Sequence, residues 1–350
     1  MVGIHKSGEK VRRFILDHVA THERDIVAFT CKELGITRQA VSRHLALIAK
    51  QGSITVEGTT RKRYLLAPEL SWTREYAVEP PLSEDVVWRT DIAGRLGTLP
   101  DNVMAIWQYG FTEMFNNAID HSGSTKIVVS IQRTAVFSEV MISDRGEGIF
   151  RKIQRELGLL DERHALLELA KGKLTTDPKR HTGEGIFFSS RMFDEFAILS
   201  GGVYFSHEYN KPEDWILERK NPASGTAVFM KLFNNSARTV KMVFDEFSSG
   251  DDYGFNKTIV PVSLARYGAE LLVSRSQAKR LIARIDRFKT VIFDFEGVSE
   301  IGQAFADEIF RVFQNEHPEI QLLSINALPT VVQMIHRAQR GDVVPEEKVP

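Results

Sequence analysis

The chain has 350 residues, 43% of them hydrophobic, enough for two or three domains with real cores. No apolar run approaches the roughly 18 to 20 residues of a bilayer span, and a single cysteine, Cys31, excludes an internal disulfide framework. The net charge of −1 hides an asymmetry: residues 1–66 carry 12 Lys and Arg against 6 Asp and Glu, and the remainder 33 against 40, so the N-terminal part alone suits a polyanion partner.

The opening "MVGIHKSGEKVRR" holds no hydrophobic signal core, so a cytoplasmic location of bacterial type is expected, and no Cys/His spacing suggests a structural zinc site. Val11, Phe14, Ile15, Leu16 and Val19 then recur at helical spacing. A second helix, "DIVAFTCKELG", stops at Gly35. The third lies in "ITRQAVSRHLALIAKQGSI": Thr37 is its N-cap, and Ala40, Val41, Leu45 and Ile48 face inward. Arg38, Gln39, Arg43 and His44 project from its first turns. "SITVEGTTRKRYLLA" alternates around Gly58 as a hairpin, with Arg61, Lys62 and Arg63 near its tip.

Helix, helix, turn, helix, basic hairpin is the order of a winged helix-turn-helix, whose second motif helix enters the major groove. "LGITRQAVSRHLALIAKQGSI" resembles the recognition segment of many bacterial winged-helix regulators, and the likeness covers about residues 7–67. It implies a DNA-binding domain at residues 1–67, with Arg38, Gln39, Arg43, His44, Arg61, Lys62 and Arg63 as the contacts. A small helical domain that docks other proteins is the alternative. "APELSWTREYAVEPPLSED" lacks sustained periodicity and holds Pro80-Pro81, so residues 68–83 read as a linker.

From Asp101 to Ala118 the residues Val103, Ile106, Trp107, Phe111, Met114, Phe115 and Ala118 form the apolar stripe of a long helix. Glu113 and Asn117, four apart, stand on one face. A carboxylate can orient and deprotonate a water, and an amide oxygen can ligate a hard cation such as Mg²⁺. For this pair taken alone, a solvated helix face is the competing reading. "KIVVSIQRTAVFSEVMISDRGEGIF" then gives two strand-like runs, the second ending in "DRGEGI". Gly146 and Gly148 supply backbone that can turn sharply and approach a flat ligand. Asp144 is an acceptor suited to an exocyclic amino group such as that of adenine. "HTGEGIFFSSRMFDEF" sets Gly183 and Gly185 at the start of an amphipathic helix, where free N–H groups favour phosphate. "SGTAVFMKL" is a strand opening on Gly225-Thr226.

These ordered motifs resemble those of the GHKL ATPases, the group of type II topoisomerases, heat-shock chaperones, histidine kinases and mismatch-repair proteins. E-x-x-x-N-A is matched by Glu113 to Ala118, D-x-G-x-G-I by Asp144 to Ile149, G-x-G by Gly183 and Gly185, and a late Thr by Thr226. The resemblance covers about residues 84–233. It implies an ATP-binding domain at 84–235, an α/β sandwich with a mixed sheet and helices on one face. It implies ATP and Mg²⁺ as cofactors, with Asn117 binding the metal, Asp144 selecting adenine, Thr226 assisting near the base and Glu113 positioning the attacking water. Residues 150–182 would be a lid whose Lys179, Arg180 and His181 reach phosphates, unless they are only a solvated charge run. His121 is similar to the "NAxxH" ending of anti-sigma-factor serine kinases, or it simply finishes the helix. P-loop and dinucleotide readings drop out, because G-x-x-x-x-G-K-[ST] is lacking and the glycine pairs do not follow the first strand of a parallel βαβ unit.

After "FSSGDDYGFNK" strands and helices alternate, implying a small α/β domain at 255–341. "VIFDFEGVSEIGQAFADEIF" resembles a STAS-like domain of unknown function often fused to GHKL modules, and more distantly the anti-sigma-factor antagonists. Those antagonists carry a phosphorylatable Ser where this chain reads Gly302-Gln303-Ala304, which favours an interaction or packing module over a phospho-switch. The fold class expected is therefore multidomain α/β (α+β): winged helix, GHKL sandwich, STAS-like domain. The function implied is an intracellular ATP-binding, ATP-hydrolysing regulator in which Mg-ATP binding and lid closure modulate the DNA-binding unit. Its partners would be DNA and a protein or second copy, with no membrane. An anti-sigma-type serine/threonine kinase acting on a partner protein is the alternative, and a nucleotide sensor without turnover stays open. A histidine kinase fits less well, since residues 67–100 contain no His.

Overall fold

Three N-terminal helices form where the apolar spacing places them: α1 (Val2–Val19), α2 (Ile26–Leu34) and α3 (Arg38–Lys50). α2 stops because Gly35 takes a left-handed φ of 64°. Thr37 caps α3, its hydroxyl accepting from the Ala40 N–H at 3.3 Å. A hairpin of β1 (Ile54–Glu57) and β2 (Arg63–Leu66) follows, and Ile15, Val19, Ile26, Val41, Leu45, Ile48 and Ile54 close a small core separate from the rest. The computed structural model describes residues 2–174, 183–209, 211, 215–249, 252–266 and 270–340. For 2–7, 215–223, 249, 252 and 253 it describes the backbone alone.

The predicted linker contains a strand. Residues Leu70–Ala77 form β3, paired antiparallel along its whole length with β4 (Lys126–Arg133). Only Tyr76 of β3 is fully buried, so the two-residue alternation that marks a strand never develops, and the ladder to β4 holds the segment extended. β5 (Phe137–Asp144) follows, and helix α4 (Asp101–His121) buries Val103, Ile106, Trp107, Phe111, Met114, Phe115 and Ala118 in the same core as the inward residues Ile127, Val129, Ile131, Val140 and Ile142. Gly110 sits where a Cβ would lie 2.3 Å from the Phe193 ring, which therefore seats directly on α4. After β5 come α5 (Ile149–Leu157), α6 (Glu162–Lys171) and α7 (Gly185–Met192), then β6 (Glu195–Glu208) and the long β7 (Trp215–Phe233).

The sheet order is β3-β4-β5-β7-β6 and every neighbouring pair is antiparallel. The mixed sheet expected from the sequence is thus not formed. β6 runs parallel to β5, but β7 enters between them and converts both contacts to antiparallel ladders.

Helix α8 (Val240–Phe247) leads to the C-terminal unit: β8 (Lys257–Pro261), α9 (Arg275–Ile282), β9 (Thr290–Asp294), a helical run over 303–316 with a π turn at Glu308–Phe313, β10 (Gln321–Ile325) and α10 (Pro329–Arg340). Its strands pair in parallel, β8-β9-β10, as crossover helices require. This unit shares one contiguous apolar core with the central sheet. Phe255 joins them, its ring centroid 4.6 Å from Phe187, 4.9 Å from Phe188 and 5.2 Å from Phe288.

Phe115 is fully buried, 5.3 Å from Phe111 and edge-on to Tyr76 at 5.5 Å. Phe115→Ala is expected to destabilise the shared core by about 3–5 kcal/mol, read as a lower urea midpoint by tryptophan fluorescence. A loss below about 1 kcal/mol would contradict this packing.

Candidate functional site

A cavity of about 260 Å³ opens between α4, α5, α7 and the inner face of β5 and β7. Met114, Ile142, Ile149, Ile153 and Val228 give it apolar walls, and Glu113, Asn117, His121, Asp144, Lys152 and Thr226 supply its polar groups. Gly183 and Gly185 border it at the start of α7. Segments more than a hundred residues apart in sequence therefore meet around one space.

Asp144 ends β5 and is partly buried. The Gly146 N–H donates to its Oδ1 at 2.8 Å and the Thr226 N–H at 3.3 Å. Burial pushes its carboxyl above the ordinary aspartate range, and the two N–H bonds pull the other way. With Oδ1 committed, Oδ2 makes no hydrogen bond among the described residues, so it remains an acceptor for a ligand's N–H.

The backbone around this carboxylate is close-packed. A Cβ at Gly146 would lie 1.8 Å from Ser122 O, and one at Gly225 (φ 82°) 2.1 Å from Asp144 O. Thr226 Oγ1 accepts from the Ile149 N–H at 3.0 Å and lies 3.3 Å from Ser200 Oγ, which donates to Gly225 O at 3.2 Å. Gly146 and Gly148 are not among the described residues that line the cavity. Their missing side chains make room for Ser122 O and for Ser200 Oγ, so they support the wall where the sequence suggested contact with a flat ligand.

At the other end Glu113 lies against α7, since a Cβ on Gly185 would fall 2.0 Å from its Oε2. Leu174 N–H donates to Gly183 O at 3.1 Å. Three groups here escaped the sequence reading. Lys152 lines the cavity and donates from Nζ to His121 O at 3.0 Å; the signal was its position within one turn of Ile149 and Ile153, on the side of α5 that meets the cavity. Burial pushes the Glu184 carboxyl up, opposed by Lys173, and burial together with the Glu113 and Glu184 charges raises the Tyr109 hydroxyl. Tyr109 stands one turn before Glu113 on α4, but its other charged neighbour, Glu184, comes from the turn before α7, so the local pattern alone does not mark it. Lys179, Arg180 and His181 lie outside the described residues.

On the N-terminal unit Arg38, Gln39, Arg43, Arg61 and Lys62 are exposed. Two other predicted contacts differ. Arg63 donates from Nε to Glu23 at 2.6 Å and lies 3.8 Å from Glu57, an ion pair that ties β2 to the turn before α2. His44 is half-buried, and burial with the nearby Arg12 charge holds its imidazole below the usual range and so neutral near pH 7.

Residues 277–332 match the family model of a STAS-like domain of unknown function (DUF4325), from α9 to the beginning of α10. A comparison with curated proteins found no match to the chain. Among the described residues no helix is long and apolar enough to cross a membrane, and no group of three or more His, Cys, Asp or Glu is placed to hold a metal by itself.

Gly146→Ala is expected to force the Ser122 carbonyl away and to lower the melting temperature by about 3 °C or more, since such overpacking costs about 1–3 kcal/mol. Scanning calorimetry of the full chain measures it, and an unchanged midpoint would contradict the close approach.

Proposed function

We propose that the chain is a GHKL-type ATP-binding regulator in which Mg-ATP at this cavity modulates a winged-helix DNA-binding unit at residues 1–67. The observation that carries the reading is the convergence of four ordered motifs on one cavity, around a partly buried carboxylate with one acceptor oxygen to spare. In it Asp144 Oδ2 accepts from the exocyclic amino group of adenine, and the apolar walls Ile142, Ile149 and Val228 hold the ring. Asn117 offers one amide oxygen. That donor set suits Mg²⁺, which keeps waters and takes phosphate oxygens for most of its shell. Bound there, the ion would neutralise phosphate charge. Glu113, at the phosphate end beside Gly185, holds and deprotonates the water. Lys152, already at the wall, adds a compensating positive charge.

For DNA, the exposed set Arg38, Gln39, Arg43, Arg61 and Lys62 supports groove and backbone contact, without His44 and Arg63. Ligand occupancy is read out through α5 and α6, which belong to the region 150–182 taken as the lid and contribute Ile153 and Leu169 to the cavity wall.

Calorimetric titration with ATP and Mg²⁺ tests the site. Asp144→Asn is expected to weaken binding at least tenfold, by loss of one charge-assisted bond, and Asn117→Ala to remove the Mg²⁺ dependence. Unaltered affinity in both variants would sink the reading. With γ-labelled ATP, label released as free phosphate supports hydrolysis, whereas label on a protein would favour the kinase alternative.

Nucleotide affinity should also fall as the pH drops. Because the Asp144 pKa is raised, protonation removes the acceptor at a pH above that at which an exposed aspartate titrates, and full affinity is kept on the alkaline side. Titrations from pH 8 to pH 5 check this, and Asp144→Asn should flatten the profile. For the N-terminal unit, Arg43→Ala and Lys62→Ala should each lower the salt slope of DNA binding by about 1, measured by anisotropy across salt concentrations.

A further inference from the structure

One short segment, residues 168–174, serves two parts of the molecule. Leu169 and Leu174 line the cavity, and the Leu174 N–H joins the segment to the turn that opens α7. Its other side is held by the C-terminal unit. Lys171 is 1% exposed, and its ammonium donates to Glu168 Oε1 at 2.7 Å, Arg280 O at 3.2 Å and Ala283 O at 2.8 Å. Those two carbonyls lie at the C-terminal end of α9, where backbone oxygens lack partners within the helix. A cation there caps the helix and meets the negative end of its dipole.

The contact is tied at further points. Arg284 Nη1 lies 3.3 Å from Glu168 Oε2. The buried Thr258 donates from Oγ1 to Lys171 O at 2.6 Å. Lys173 donates from Nζ to Arg287 O at 3.0 Å, and Arg287 Nη1 returns a bond to Lys173 O at 3.1 Å. The Phe255 ring fills the space that a Cβ on Gly172 would take. All three ammonium protons of Lys171 are thus used. Burial pulls its pKa down while Glu168 pulls it up. Losing one partner would strand a charge in the interior, so this contact breaks as a unit instead of stretching.

We propose that the STAS-like unit is a built-in regulator of the cavity: α9 clasps residues 168–174, so that docking of the C-terminal unit and occupancy of the cavity are coupled, each favouring the other. The identity of the ligand rests on the nucleotide reading above; the mechanical link does not. Because coupling is reciprocal, a protein that pulls α9 away would loosen the ligand, and ligand binding would tighten α9.

Hydrogen–deuterium exchange on the full chain tests this, with and without the non-hydrolysable probe Mg·AMPPNP, in the wild type, Lys171→Met and the milder Thr258→Val. In the wild type the probe is expected to slow exchange at 113–122 and 183–192 and also at 275–288. In Lys171→Met the effect at 275–288 should vanish and affinity fall about tenfold, within the range of ordinary coupling. Protection confined to the cavity segments of the wild type would overturn the coupling and leave the nucleotide reading intact. If the probe does not bind, that reading fails, and the ligand-free arm decides the link. Faster exchange at 183–192 in both variants, with 126–144 unchanged, upholds it. Unchanged rates at 183–192, or a uniform rise across the chain, overturn it.

Discussion

A carboxylate drawn out of water at the end of a strand has to be met by donors, and the need of Asp144 organises the central unit. Its partners are backbone N–H groups from the loop after β5 and from the region of β7 that passes Gly225. Backbone donors are short, so both chains must come close. The loop turns back on Ser122, where the Glu147 N–H donates to Ser122 O at 3.1 Å, and only a residue without a Cβ fits at position 146. β7 must in turn lie beside β5. That places it between β5 and β6 and makes the sheet antiparallel throughout. One partly buried carboxylate thus ties together a glycine, a turn and the β5–β7 pairing.

A second constraint acts between units. The N-terminal helices and hairpin close a core of their own, whereas the C-terminal unit and the central sheet bury their apolar faces together. A three-stranded parallel sheet has little area of its own to cover, and parallel sheets are ordinarily covered on both faces. Phe187, Phe188, Phe247 and Phe255 fill the seam with edge-on and tilted ring pairs. The same seam carries the buried Glu168–Lys171 pair, so an apolar contact and an ionic one hold the same two surfaces.

Much of the local order was legible beforehand. The stripe from Val103 to Ala118 repeats at helical spacing, and α4 spans it; Gly35 and Thr37 end one helix and begin the next. The segment 70–77 was not legible, because only Tyr76 is fully buried and its extension comes from the ladder to β4. Arg61, Lys62 and Arg63 are alike in sequence, yet Arg63 alone reaches Glu23, forty residues away. Nothing in the sequence singles out Lys171; its burial against α9 depends on residues 280–284. Glu184 and Lys152 gain meaning only from what stands opposite them.

By itself the amino-acid sequence determined the long amphipathic helices, several of the strands, which faces are apolar, and the four ordered motifs whose residues border the cavity. Those properties depend on neighbours within about one or two turns, and the chain records them directly. Tertiary structure alone decided the order of strands, the cavity, the partner of each charge and the union of the two C-terminal units. Each of these is a contact between distant residues, set by which arrangement buries the apolar faces while giving every enclosed charge a partner.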